Sequence, residues 1–365
     1  MPAHAAYRKF ALARAVQVAR SPCMLFLGAL SGAILGSIIG GHMAQETLHP
    51  YTLAATNTNS GGESEACPEW TISALTQKRM QRDYCIRRFT GEVPEQDLVK
   101  TKLLAPDQTH MDFIVYDGND IVSGAIRSNG HWEHHLSTAL VMVLSKVAED
   151  RGLPHEQVHL LDIGGNVGAH TVYAQAAGFS VVTFEPLPQN EAIIRTNLCF
   201  NDPKQERVTL FTNGLGSEPT LCKQFSAPNY NRGNGIVNCN GSIPQHPDGQ
   251  LIYRGQMEVL RLDDVLLPCK DGTQLPPDIV FGAMKMDVEG FEPEVLKGGE
   301  TFFTKALIPY IVFEIGRMPE TRRQAVLQFF YGLGYQASTT GFFQGLGQPK
   351  DLPGTEDVYL VLLQA

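Results

Sequence analysis

Residues 158–186, VHLLDIGGNVGAHTVYAQAAGFSVVTFEP, leave room for few folds. The apolar run at 158–163 has the length of a strand buried on both faces. A glycine-rich turn follows, Gly164-Gly165-Asn166-Val167-Gly168. Next comes a helical stretch with Val172, Ala176 and Ala177 on its apolar side, ended by Gly178 where a C-terminal glycine is expected. A second strand, 181–184, runs into Glu185 and Pro186. Strand, glycine turn, helix, strand, acid is the first half of a nucleotide-binding βαβ unit, with glycine where a Cβ would hold the backbone off a ligand. From the end of the second strand, the Glu185 carboxylate can accept hydrogen bonds from both hydroxyls of a ribose.

The turn also discriminates between nucleotides. A dinucleotide fingerprint needs glycine at the first, third and sixth places, so that a pyrophosphate can lie on the helix N-terminus. Counted from Gly164, the third place is Asn166 and the sixth Ala169. An acid at the strand tip, Asp162, followed by G-x-N-x-G suits S-adenosylmethionine better. That molecule has no phosphate, and its amino-acid end carries an ammonium that Asp162 could meet. The plain alternative is an ordinary strand-to-helix turn in which Asn166 caps the helix.

The front of the chain differs in kind. Arg8, Lys9, Arg14 and Arg20 precede the first acid, Glu46, and residues 23–43 carry no formally charged side chain apart from the titratable His42. Such a run nearly crosses a hydrocarbon core of roughly 30 Å. The expected organisation is therefore a cytosolic basic tail at 1–22, a single-pass transmembrane signal anchor at 23–43, a stem at 44–106 rich in Thr, Asn, Ser and Gly, and a catalytic domain at 107–365. A mitochondrial presequence is the rival for the first segment. Gly28, Gly32, Gly36 and Gly40 share one face of the span, which would let two anchors pair as a homodimer. With a net charge of −9 there is no basic field to draw nucleic acid, and none is expected as a partner.

Within the domain, residues 113–116 read as a strand and 121–122 as a second short one, before a helix at 136–150. His131, Glu133, His134 and His135 fit no zinc spacing, so no metal is expected, and a polar helix N-terminus over a substrate channel is the better account. Further strands are expected at 208–212, 257–260, 283–286, 308–313 and, last, 357–363. The stretch 208–212 leads to Asn213 on the edge that carries Gly164 and Glu185, where an adenine could be bordered. Residues 226–250 form a long polar insertion that contains the N-glycosylation triplet beginning at Asn240. Seven cysteines are present and no C-x-x-C occurs, so neither a zinc ribbon nor a redox dithiol is supported. Cys67–Cys85 and one pair among Cys199, Cys222, Cys239 and Cys269 are conceivable disulfides; buried thiols are the alternative.

At 285–298, KMDVEGFEPEVLKG, three acids in six residues end a strand. Together with LLDIGGNVGAHT at 160–171, FEP at 184–186, LDD at 262–264, VFEI at 312–315 and Gly-x-Trp-Glu at 130–133, this order resembles the FkbM-type methyltransferases, a branch of the S-adenosylmethionine-dependent class, over roughly residues 110–365. The resemblance implies an α/β, Rossmann-like fold: a seven-stranded, mostly parallel sheet with helices on both faces and an antiparallel last strand. It implies O-methylation of a hydroxyl, on a sugar or another small molecule. On that basis Asp162, Gly164, Asn166 and Gly168 hold the methionine end of the donor, Glu185 the ribose, and Asn213 borders the adenine. Asp287 is the first candidate for the base, with Glu289 and Glu314 as alternatives, and helix capping competes with catalysis for Glu289 and Glu292. The expected function is a luminal sugar O-methyltransferase of the Golgi or endoplasmic reticulum. An organellar enzyme acting on lipid or protein and an inactive donor-binding module are the alternatives.

Overall fold

The computed structural model describes residue 85 and residues 97–201, 207–227, 231–239, 251–267, 279–316 and 318–363. All of them lie in one compact unit, Ser64–Ala365. The tail, the anchor at 23–43 with its glycine stripe, Cys67 and Asn240 lie outside the described residues. Among the described residues no helix is long and apolar enough to cross a membrane.

In chain order the elements are β1 (Leu98–Leu104), β2 (His110–Tyr116), α1 (Ile121–Asn129), α2 (His134–Arg151), β3 (Val158–Ile163), α3 (Ala169–Ala176), β4 (Ser180–Phe184) and α4 (Pro188–Asn201). There follow β5 (Val208–Phe211), β6 (Gly214–Leu215), β7 (Thr220–Ser226), β8 (Ile236–Asn238), β9 (Ile252–Leu260), α5 (Leu262–Leu266) and β10 (Val280–Met286). The chain closes with α6 (Glu292–Gly298), α7 (Glu300–Ala306), β11 (Tyr310–Glu314), α8 (Glu320–Gly332), β12 (Tyr335–Ser338) and β13 (Asp357–Leu362).

Seven strands form the central sheet in the order β12-β13-β11-β10-β3-β4-β5. The ladders from β11 through β10, β3 and β4 to β5 are parallel, and β13 runs antiparallel between β11 and β12. This is the α/β, mostly parallel sheet of seven strands that the resemblance implies, with its last strand reversed; one member, β12, was not among the strands expected. Strand β3 shows why its sequence is an unbroken apolar run. Val158 and Leu160 pack into the core on one face, with α2, α3 and α4, while Leu161 and Ile163 pack into the core on the other, with α6, α7 and α8. From β3 the chain winds outward to β4 and β5, then crosses back to β10 on the other side. The reversal falls between the carboxyl ends of β3 and β10, the place where open α/β sheets form a crevice.

Several expectations are corrected. Residues 121–122 begin helix α1 rather than a strand, because Asp120 accepts a hydrogen bond from the Ser123 N–H and caps the first turn. The hydrophobic pattern there is also helical: Val122 and Ile126 are buried on one side, and Gly130 ends the helix in the left-handed region. Strand β1 falls within the stretch expected to be stem, and pairs along its whole length with β2. Within the polar insertion, β8 pairs with β7 in a second, four-stranded sheet, β6-β9-β7-β8, and the strand expected at 257–260 is the end of β9 in that sheet, not part of the central one. Cys85 pairs with Cys199, not with Cys67, and Cys222 pairs with Cys239.

Candidate active site

The glycine turn is shaped by the strand beside it. Gly164 sits at φ +87°, and a Cβ there would collide with the backbone carbonyl of Asp287 at the tip of β10. The Asp287 N–H in turn donates to the Ile163 carbonyl at 3.0 Å. Close packing of two strand ends, as well as any ligand, therefore requires glycine at this place. Asn166 also takes a positive φ, +51°, which asparagine tolerates better than most residues. Its N–H donates to Glu185 Oε2 at 2.8 Å, and its own Oδ1 accepts from the Val167 N–H. Beneath the turn, Asn197 of α4 donates to the Val167 carbonyl and exchanges two hydrogen bonds with the backbone of Ile114, which ties the turn to β2.

At the centre of the crevice stands Lys285, buried within β10. Its ammonium donates to the Gly164 carbonyl at 2.7 Å and lies 3.5 Å from Asp287 Oδ2 and 3.9 Å from Asp162 Oδ1. Burial disfavours its charge, yet the surrounding Asp287, Asp162 and Glu133 more than offset this and raise its pKa. Asp162 itself has no exposed surface, and its Oδ2 accepts from the Thr171 hydroxyl at 2.6 Å. Asp162, the residue expected to meet a ligand's ammonium, is thus buried with Lys285 as its nearby cation.

The three candidate catalytic acids do come together. One carboxylate oxygen from each of Asp287, Glu289 and Glu314 lies within 4.8 Å of the others, a spacing that would also admit a metal ion. Asp287 and Glu314 end the neighbouring parallel strands β10 and β11, and Glu289 follows in a turn where its own φ is +58°. Burial works against ionisation of Asp287, but the Lys285 charge and hydrogen bonding to Glu314 outweigh it and hold its carboxyl below the ordinary value. Glu292 belongs to a different class. It is fully buried, and its Oε1 accepts from the Val288 and Gly290 N–H groups, so it braces the loop that carries Glu289.

Glu185 lies at the end of β4 as expected, almost wholly buried, with Oε2 on the Asn166 N–H and Oε1 on the Leu187 N–H, both at 2.8 Å. Burial pushes its carboxyl up from 4.5 to about 7, and these backbone bonds offset that only in part. Between those values the folded chain holds a proton that the unfolded chain has lost, so this group makes stability fall as pH rises through the window. Urea unfolding at pH 5, 6, 7 and 8 is expected to show that decline in the wild type and a flatter profile in Glu185→Gln. Equal slopes in the two proteins would remove Glu185 as the cause. Asn213, expected at the adenine, donates from Nδ2 to Glu258 Oε2 at 3.2 Å, just beyond the end of β5.

The sequence did not mark Lys285 or Asp357 as site residues. A signal for Lys285 was present: it is the one charge in the otherwise apolar β10, FGAMKM after Val280, and a charge in a buried strand calls for a partner. Asp357 opens β13 opposite Glu314, and burial, with Glu133 and Asp287 nearby, raises its carboxyl to about 6. Nothing local in the sequence announces that neighbourhood. Counted together, Asp287, Glu289, Glu314, Glu133 and Asp357 exceed the single ammonium of Lys285. A crevice so charged suits a cationic ligand that also carries a ribose for the β4 tip.

Residues 162–337 match the model of the methyltransferase FkbM domain. No curated protein matches the sequence. Among solved structures, the fold is similar to an rRNA methylase from Streptococcus thermophilus (15% identity over 61% of this chain and 94% of that one, TM-score 0.32). It is similar also to a SAM-dependent methyltransferase from Agrobacterium tumefaciens (9%, 74% and 71%, TM-score 0.36). A third is an O-methyltransferase from Bacillus cereus in complex with SAH (15%, 66% and 89%, TM-score 0.30).

Proposed function

Since this chain carries a methyltransferase FkbM domain and is an S-adenosylmethionine-dependent methyltransferase, we propose that it methylates a hydroxyl of a sugar or glycan on the luminal side of a secretory membrane. When bound, S-adenosylmethionine supplies an electrophilic methyl group on a positively charged sulfur. The residues present fit such a molecule: the turn Gly164–Gly168 and Glu185 would border its adenosine and amino-acid parts, and the excess of carboxylates suits its charge.

The observation that carries the acceptor class is the partly exposed Asp287, whose carboxyl the Lys285 charge 3.5 Å away helps hold below its ordinary value. An anion there accepts the hydrogen bond of an incoming hydroxyl and so aims its oxygen. It then takes the proton as that oxygen gains its new bond. An alcohol oxygen becomes strongly acidic at that moment, so a carboxylate of low basicity suffices. Glu314, close to Asp287, and Glu289, in its left-handed turn, complete the acidic cluster around that spot.

Two disulfides, Cys85–Cys199 and Cys222–Cys239, support an oxidising compartment. The basic tail followed by the apolar span at 23–43 supports a single-pass anchor with the domain in the lumen of the Golgi or endoplasmic reticulum. The long polar stretch at 226–250, which includes Asn240, is compatible with a glycan acceptor.

The test uses the full-length chain, expressed in cells and recovered in sealed microsomes with a methyl-labelled donor. Label is expected in a base-stable methyl ether on released glycans, and the chain is expected to shift on endoglycosidase treatment unless Asn240 is replaced. Label confined to protein or lipid, or a chain resistant to endoglycosidase and open to added protease, would overturn the proposal.

A further inference from the structure

We infer that Glu133, not Asp162, receives the ammonium of the donor's amino-acid end, because Glu133 stands beside the helix that the glycine turn opens into while Asp162 is sealed beneath it. This rests on the donor reading above and assigns one subsite within it.

Asp162 is poorly placed for that task. It exposes no surface, one oxygen holds the Thr171 hydroxyl, and Lys285 already stands at 3.9 Å from the other. A second cation would have to enter the interior beside the first, at the cost of like-charge repulsion in a region of low dielectric.

Glu133 offers what Asp162 lacks. Its side chain is one-third exposed, and its Oε2 lies 3.4 Å from Nε2 of His170, in the first turn of α3. His170 is buried, and its Nδ1 is 2.8 Å from the Ser137 hydroxyl, so the ring is held from behind. The approach to Glu133 is not aligned as a hydrogen bond, which leaves Nε2 a buried polar atom without one. The carboxylate is thus steadied near the turn without being used up by the ring.

The bland alternative for an acid at this position is capping. Glu133 is the N-cap of α2, but its side chain makes no capping hydrogen bond. Its backbone is left-handed, with φ +39° and ψ +51°, a conformation disfavoured for a residue with a Cβ. That strain aims the side chain at the crevice instead of at the helix it begins. Burial tends to neutralise the carboxyl, but contact with His170 and the Lys285 charge keep it ionised below its ordinary value, against the opposing effect of Asp287. It can therefore meet an ammonium as an anion.

Calorimetry on the full-length chain in detergent, with two ligands, tests this. S-adenosylhomocysteine carries the amino-acid end; 5′-methylthioadenosine keeps the adenosine and the thioether but lacks it. Glu133→Gln is expected to weaken the first by about 10- to 100-fold, the loss of one hydrogen bond to a charged group, and to leave the second within about twofold of wild type. Unchanged affinity for S-adenosylhomocysteine would overturn the assignment. So would an equal loss for both ligands, which would mean that Glu133 only shapes the fold. If the wild type bound neither ligand, the donor site itself would be misplaced, an outcome distinct from either of these.

Discussion

Asp287→Asn is expected to lower turnover about 10²- to 10⁴-fold, the usual worth of a positioned proton acceptor, while affinity for S-adenosylhomocysteine stays within a few-fold of wild type. The substitution is nearly isosteric, so the crevice keeps its shape. The backbone N–H of residue 287 still donates to Ile163, and Lys285 keeps Asp162 and the Gly164 carbonyl as partners. What disappears is an anion that can aim a hydroxyl and take its proton. Single-turnover rates with labelled donor, beside calorimetric binding of S-adenosylhomocysteine, separate these two effects. Full activity in the variant would remove Asp287 from the chemistry and turn attention to Glu314 and Glu289.

Lys285→Met is expected to lose both stability and donor binding. Methionine fills much of the same volume, but it leaves Asp162 without a cation in a fully buried place and Asp287 without its nearest one. Removing one partner of a buried ion pair costs about 3–5 kcal/mol, because the remaining charge stays desolvated. The Gly164 carbonyl also loses its donor, so the glycine turn should loosen first. The pH dependence has a definite sign. Asp287 titrates below its ordinary 3.8 in the folded chain, so the pair contributes fully above that value and fades as pH falls through the folded one. The gap between wild type and variant should therefore be widest near neutral pH and narrow in acid. Urea unfolding at pH 7 and at a pH well below 3.8 reads it directly, and a variant as stable as wild type at both would show that Lys285 is not the hub of the crevice.

Much of the fold could be read from short stretches because the cause there is local. A strand buried on both faces must be apolar throughout, as residues 158–163 are. A tight strand-to-helix turn must contain glycine, as at Gly164 and Gly168. The same locality explains the misreading at residues 121–122: two β-branched residues after a turn look like a strand until the capping bond from Asp120 is seen. The pairing of Cys85 with Cys199, 114 residues apart, depends on where α4 lies. No spacing rule contains that information.

The candidate site divides along the same line. The order of motifs was enough to place Asp287, Glu289 and Glu314 near one another, since β10 and β11 are parallel neighbours with their carboxyl ends together. Which carboxylates face solvent and which face Lys285 was not legible, because Asp162 and Asp287 differ little in sequence context. Taken alone, then, the sequence determined the α/β class, the glycine turn and the acids that crowd the sheet's edge, all consequences of local sterics and periodicity. Only the tertiary structure decided the electrostatic roles. A charge acts through distance and burial, and both are set by residues far apart in the chain: Lys285 from β10 under the turn after β3, and Glu133 from the start of α2 against His170 of α3.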